Sequence, residues 1–185
     1  MKTELFDYDL PEALIAQHPE AERDGGRLLV CGASSIEHRR FTELGELVPR
    51  GALLVVNDSR VFKARLVGKK HGSGGRAEIF LLSRLGERWQ ALGRASKPLR
   101  VGSVVEMPSL SAHVVERDDD GGLVVELRSE LPIDEAIERD GHVPLPPYMK
   151  REDTVEDVDR YQTVYAERTG SVAAPTAGLH LTEAL

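Results

Sequence analysis

Three stretches of this chain carry side chains whose types and spacing can do chemistry. The first is Val55-Val56-Asn57-Asp58-Ser59-Arg60-Val61, an apolar run that ends in three small polar residues and an arginine. At the carboxyl end of a strand in an α/β protein such residues face the ligand crevice, and here they offer an amide, a carboxylate and a hydroxyl over a short span. Asn and Asp equally favour an ordinary Asx turn, and residue type alone does not separate the two. The second stretch is Ser171-Val172-Ala173-Ala174-Pro175-Thr176-Ala177-Gly178-Leu179-His180. Its small residues let backbone approach a bound molecule closely, and Gly178 permits a positive φ. Thr176 and His180 add a hydroxyl and a proton acceptor near neutral pH. The stretch has neither the Gly-Lys-Ser/Thr end of a Walker loop nor the G-x-S-x-G of a nucleophile elbow, and a lone histidine is more often structural. The third pairs Leu145-Pro146-Pro147-Tyr148 with Tyr161-Gln162-Thr163-Val164-Tyr165. These aromatics can stack on a base or contact a cation, or simply fill a core. The histidines show no metal spacing, and the single Cys31 excludes both an intrachain disulfide and a cysteine-based metal site.

The elements that must position these residues change character along the chain. Asp9 and Pro11 predict a helix start, with Leu10, Leu14 and Ile15 on one face and His18-Pro19 as its end. Leu28-Leu29-Val30 reads as a short buried strand, with Cys31 beside it as a buried small hydrophobe. Phe41, Leu44 and Val48 are spaced for a short helix that stops at Pro49. Leu53-Leu54-Val55-Val56 reads as a fully apolar strand. From about residue 60 to 128 short β-rich runs recur: Ala64–Val67, Ala77–Leu82, Trp89–Leu92, Ser103–Met107, Ala112–Glu116 and Leu123–Leu127. Gly72-Ser73-Gly74-Gly75 and the Asp118–Gly122 run supply turn signals between them. That spacing predicts a small antiparallel barrel or sandwich. Ile133–Arg139 follows as a short helix ended by Gly141. His142–Tyr148 is held extended by its prolines, as a linker or a rigid wall. Asp153–Ala166 is a charged helix candidate. At the C-terminus Thr182 and Glu183 suit the first turn of a helix, which implies a fold continued by further chain or completed by a partner.

Net charge is −7 over 185 residues, which taken alone argues against a nucleic-acid partner. The distribution reverses that reading. Arg60–Arg100 holds eleven Lys/Arg against two acids, a formal +9, leaving −16 for the rest of the chain. A basic block inside an acidic protein is the electrostatic footprint of a polyanion partner, against which stands a solvated face on a β-rich domain. No apolar run is long enough to span a membrane, and the N-terminus lacks the apolar region of a signal peptide, which together suggest a cytoplasmic protein.

Five blocks, in order along the whole chain, carry a resemblance. They are Asp9-Leu10-Pro11-Glu12-x-Leu14-Ile15-Ala16-Gln17-His18-Pro19 with Glu22-Arg23; Asn57-Asp58-Ser59-Arg60-Val61 with Ala64-Arg65-Leu66; Gly141-His142-x-Pro144-Leu145-Pro146-Pro147-Tyr148; Tyr161–Tyr165; and Ala173–His180. Together they resemble the N-terminal half of the S-adenosylmethionine:tRNA ribosyltransferase-isomerases of queuosine biosynthesis, enzymes about twice this length.

The resemblance implies a mixed α/β fold, an α/β layered domain with an inserted small antiparallel β-barrel. Residues 1–60 together with 144–185 would form the layered part and 61–143 the barrel. It implies a transferase that moves and isomerises the ribosyl group of S-adenosylmethionine onto 7-aminomethyl-7-deazaguanine at the wobble position of tRNA, giving epoxyqueuosine-tRNA, adenine and methionine. The alternative is a non-catalytic tRNA-binding module or truncated relative. Carried onto this sequence, the resemblance assigns His180 and Asp58 to catalysis. It assigns Asn57, Ser59, Pro175, Thr176, Ala177 and Gly178 to S-adenosylmethionine, and Arg60, Lys63, Arg65, Lys97 and Tyr148 to the tRNA substrate. It implies no prosthetic group and no metal, with S-adenosylmethionine as ribosyl donor. The full-length protein is expected to be cytoplasmic and monomeric, with no membrane partner.

Overall fold

A computed structural model describes residues Met1–Leu185. In chain order the strands and α-helices are β1 (Arg27–Cys31), β2 (Ile36–Arg40), α1 (Leu44–Leu47), β3 (Ser59–Val61), β4 (Arg65–Lys70), β5 (Arg76–Leu85) and β6 (Arg88–Ala95). They continue with β7 (Val104–Glu106), β8 (Ser111–Arg117), β9 (Gly122–Arg128), α2 (Ile133–Asp140), β10 (Gly141–His142), α3 (Val155–Arg160) and β11 (Arg168–Ser171). No helix is long and apolar enough to cross a membrane.

All six β-rich runs of the central region are strands, and they form one antiparallel sheet ordered β4-β5-β6-β9-β8-β7. Lys69 and Lys70 of β4 pair with Glu106 and Val105 of β7, which closes the sheet into a six-stranded barrel. Alternation along each strand turns one face inward, and Leu66, Ile79, Leu81, Val105, Val114 and Val125 are completely enclosed. Closure depends on Gly68, because a Cβ there would come within 2.3 Å of the Glu106 carbonyl oxygen. The hairpin turns follow the sequence signals. Gly72 and Gly74 take positive φ between β4 and β5. Between β8 and β9 the Asp118 carboxylate accepts the N–H of Gly122 at 2.6 Å. Helix α2 covers one opening with Ala136 and Ile137, which join the same core.

Outside the barrel the chain forms a platform of smaller pieces. Strands β1 and β2 make an antiparallel hairpin, and β3 pairs in parallel with β11. Neither β2 (Ile-Glu-His-Arg-Arg) nor β11 (Arg-Thr-Gly-Ser) shows apolar alternation, so neither was legible from its residues. Their partners, not their side chains, make them strands.

Several expectations are corrected here. The helix expected from Asp9 is a single 3-10 turn, Glu12–Leu14, with Leu10 and Leu14 exposed. An isolated turn gains too little to repay nucleation unless its apolar face is covered. Strand β1 alternates between half-buried and exposed residues, and Cys31 is exposed at its end. A two-stranded ribbon covers only one face. The largest departure is Leu53–Val56, which pairs with no strand; Leu53 is 88% and Val55 83% exposed. The charged segment from Asp153 is helical only over Val155–Arg160. The residues after Leu181 form no helix, although the Thr182 hydroxyl accepts the N–H of Leu185 at 3.2 Å as an N-cap would.

Candidate functional site

Three segments far apart in sequence meet on the platform: the chain around 16–26, the stretch 145–161, and the 3-10 turn Thr176–His180. Side-chain clamps hold them together. Gln17 donates to the Tyr148 carbonyl at 3.2 Å and accepts the N–H of Lys150 at 2.8 Å. Arg151 donates through Nε to the Gln17 carbonyl at 2.6 Å. Arg23 donates to the carbonyls of Gln162 (2.7 Å), Asp159 (3.0 Å) and Leu179 (3.2 Å), linking the first segment to both others. Arg160 returns the link through the carbonyls of Glu20 (2.7 Å) and Ala21 (3.2 Å).

Between these segments lies a cavity of about 300 Å³. Its apolar and aromatic lining comes from Leu145, Pro146, Tyr148, Met149 and Tyr161, so the proline-rich stretch lines the cavity. The lining also carries Glu20, Arg23, Arg151, Asp157 and Arg160, together with His18, Thr176 and His180. Small-molecule sites have this composition, a largely apolar surface with a few placed polar groups.

The most enclosed charge pair braces this lining. Arg151 is bidentate to Asp157 at 2.6 and 2.8 Å, and the Asp157 side chain is only 7% exposed. The same carboxylate accepts the N–H (2.7 Å) and hydroxyl (3.0 Å) of Thr154, closing a capping box on α3. Hydrogen bonding from Arg151, aided by Thr154 and opposed by burial, lowers the Asp157 carboxyl to about 2. Burial raises the Tyr161 phenol, partly offset by the Ala174 backbone. Burial, together with the charge of Arg160, lowers the Arg23 guanidinium.

Among the residues assigned from sequence, Thr176, His180 and Tyr148 line the cavity. Residues three apart are eclipsed in a 3-10 turn. Thr176 and Leu179 therefore face the cavity, with His180 next to them, while Gly178 faces away. Gly178 is buried and has no positive φ. A Cβ there would lie 2.3 Å from the Tyr165 hydroxyl and 2.9 Å from Thr163 Cγ2, so the close approach is to protein and not to a ligand. His180 also packs on Phe41, ring centroids 4.9 Å apart. Pro175 and Ala177 are not cavity residues.

The Asn57–Ser59 stretch lies elsewhere. Asn57 accepts the N–H of Ser59 at 2.9 Å, a local Asx turn. The Asp58 carboxylate sits 3.4 Å from Arg168 Nε, and the Asp58 carbonyl accepts the N–H groups of Glu167 and Arg168. In the parallel ladder Ser59 pairs with Arg168 and Val61 with Ser171. Asp58 therefore sits at the start of the ladder, while the chain toward His180 leaves from its far end. Asp58 is not among the residues lining the cavity that His180 borders.

The basic segment is partly neutralised. Lys63 pairs with Glu138 (2.9 Å), Arg65 with Glu78 (3.0 Å), Arg76 with Glu152 (3.2 Å), Arg84 with Asp134 (3.4 Å) and Arg88 with Glu116 (3.0 Å). Arg60, Lys69, Lys70, Arg94, Lys97 and Arg100 keep no acidic partner. Register gathers most of these at one end of the barrel: Lys69 lies opposite Arg76, Gly68 opposite Ala77, and Ala77 opposite Ala95, next to Arg94.

Arg23, Arg151, Asp157 and Arg160 were missed by sequence reasoning as site residues. Arg23 stood in the quoted opening block, but nothing in its neighbours indicates that its three acceptors lie more than 130 residues away.

A family model described as "Queuosine biosynthesis protein" matches residues 3–185. The S-adenosylmethionine:tRNA ribosyltransferase-isomerase of Sorangium cellulosum is 48% identical, the match covering 100% of this chain and 57% of that protein. That of Magnetococcus marinus is 49% identical over 97% of this chain and 51% of its own length. That of Anaeromyxobacter sp. is 47% identical over 100% and 55%. Among solved structures, the S-adenosylmethionine tRNA ribosyltransferase of Thermotoga maritima is 31% identical over 90% of this chain and 56% of that chain, with a TM-score of 0.34. The chain spans about half the length of the curated relatives it matches.

Proposed function

This chain belongs to the queuosine biosynthesis protein family, and from that premise we propose that it carries the S-adenosylmethionine-binding part of a tRNA ribosyltransferase-isomerase. The observation that carries the reading is the match, over the whole of this chain and about half of theirs, to relatives of that name. The cavity supports it, because two of the blocks that matched the family from sequence, 9–23 and 173–180, both reach its rim.

The reaction moves the ribosyl group of S-adenosylmethionine onto 7-aminomethyl-7-deazaguanine at the wobble position of tRNA. The sulfonium acidifies the neighbouring ribosyl C–H, and a base at the rim takes that proton. His180 is the rim group suited to this, with Thr176 beside it. The resulting ylide expels adenine, the neutral aminomethyl group attacks the sugar, and rearrangement releases methionine and leaves epoxyqueuosine on the tRNA. Asp58, ion-paired with Arg168 at the start of β11, is not among the residues lining the cavity. Residues 61–143 form the inserted barrel domain. Its unpaired basic end, including Lys69, Lys70, Arg94 and Lys97, meets tRNA phosphates. The cytoplasm is where these substrates occur.

The test is equilibrium binding of S-adenosylmethionine and of tRNA to this chain, followed by adenine release when the chain is joined to the C-terminal part of the Sorangium cellulosum relative. Both ligands bind, and His180→Ala abolishes adenine release while tRNA affinity and thermal midpoint hold. Reversing Lys69, Lys70 and Arg94 to Glu weakens tRNA binding and flattens its salt dependence, each lost phosphate contact removing about 0.7–0.9 from the slope. Binding of tRNA with none of S-adenosylmethionine would instead identify a tRNA-binding module.

A further inference from the structure

The cavity wall carries more positive charge than its own acids neutralise. Arg151 is matched by Asp157, but no carboxylate lies within ion-pair distance of Arg23 or Arg160. Both are spoken for only by backbone carbonyls. A guanidinium has five N–H donors. Arg23 spends three on Gln162, Asp159 and Leu179, and Arg160 two on Glu20 and Ala21. Two N–H groups of Arg23 and three of Arg160 are left without a protein acceptor.

The carbonyl bonds fix the guanidinium planes without discharging them. They are reciprocal: Arg23 reaches the carbonyl of Asp159, the residue before Arg160, and Arg160 reaches the chain three residues before Arg23. The two cations are therefore neighbours, and the charge of Arg160 disfavours that of Arg23. Two like charges held side by side and half-buried are a cost to the fold unless something anionic lies between them. The acids nearby are Asp159, which is exposed and does not line the cavity, and Glu20, whose carboxylate pairs with no cation although it borders the cavity.

We propose that Arg23 and Arg160 form a carboxylate anchor that receives the α-carboxylate of the amino-acid tail of S-adenosylmethionine, with Glu20 facing the cationic end of that tail. This rests on the reading of the cavity as the S-adenosylmethionine site. A planar fork matches a carboxylate with two parallel N–H···O bonds, which makes arginine the residue for such recognition. The aromatic lining residues Tyr148 and Tyr161 then take the nucleoside. An amino-acid zwitterion fits this charge order, with two cations and one free acid. A tRNA phosphate, which has no ammonium or sulfonium beside it, would leave Glu20 as a repulsive neighbour.

The test compares S-adenosylmethionine with decarboxylated S-adenosylmethionine, which keeps the sulfonium, the amine and the nucleoside, on this chain by calorimetry. The anchor predicts binding weaker by about tenfold or more without the carboxylate. Arg160→Gln erases the difference between the two ligands, Arg160→Lys restores part of it, and tRNA affinity stays unchanged in both. Equal affinity for the two ligands overturns the anchor and leaves the cavity as the nucleoside site. Failure of both to bind overturns the cavity reading and the anchor with it. Loss of tRNA affinity in Arg160→Gln with S-adenosylmethionine binding intact assigns the pair to phosphate and overturns the proposal. The ligand comparison on the unmutated chain decides the matter even if the Arg160 variants lose their fold.

Discussion

Replacing Asp157 by Asn tests how the cavity wall is held. Asp157 accepts two hydrogen bonds from Arg151 and two from Thr154 while nearly all of its side chain is enclosed. A carboxyl held at about 2 against an ordinary 3.8 contributes about 2.4 kcal/mol at neutral pH. The folded-state value is the lower one, so this stability is fully present above the unfolded value and is lost as pH falls through the folded one. Linkage leaves about 1.3 kcal/mol of it at pH ~3. Asn cannot titrate, and it leaves the Arg151 charge unpaired, a loss of about 3–5 kcal/mol at neutral pH. The chain supplies separate reporters for the measurement. Its single tryptophan, Trp89, lies in the barrel, and all four tyrosines, Tyr8, Tyr148, Tyr161 and Tyr165, lie outside it. Urea unfolding followed by tyrosine absorbance therefore reads the platform, and tryptophan fluorescence reads the barrel. The gap between parent and Asp157→Asn is expected to narrow by about 1 kcal/mol from pH 7 to pH 3 in the tyrosine signal, with the tryptophan transition unmoved. A gap that is the same at both pH values would refute the assignment of the lowered carboxyl to this pair.

Two further outcomes follow from packing. Gly178→Ala places a methyl 2.3 Å from the Tyr165 hydroxyl, an overpacking cost of about 1–3 kcal/mol, read in the tyrosine transition; a loss below about 0.5 kcal/mol would show that Tyr165 moves aside freely. Leu66→Ala, at a site with no exposure, should cost about 2–5 kcal/mol, whereas Leu53→Ala, at a largely exposed site, should cost under about 0.5 kcal/mol. Equal losses in a urea titration would mean that Leu53 is covered in solution.

The residues by themselves determined the run of short antiparallel strands, and the β4–β7 pairing decided that they close into a barrel rather than a sandwich. Period-two alternation decides which face is buried, and Gly72, Gly74 and the Asp118–Gly122 turn act within a few residues, so both signals survive without knowledge of the rest of the chain. The local blocks were equally legible: Thr176 and His180 were singled out from type and spacing, and both border the cavity. What the sequence could not supply was who faces whom. Leu53–Val56 is as apolar as any core strand, yet burial depends on a partner surface, and no other element of this chain covers it. Asp58 and His180 were both assigned to catalysis, but Asp58 sits at the start of the β3–β11 ladder beside Arg168 and only His180 borders the cavity. Gly178 was read as freedom of φ and proved to be room for Tyr165. The clamps of Arg23, Arg160 and Arg151 on distant backbone became visible only once segments more than 130 residues apart were brought together. A guanidinium's role is set by the acceptors around it, and those acceptors are backbone carbonyls that no sequence motif marks.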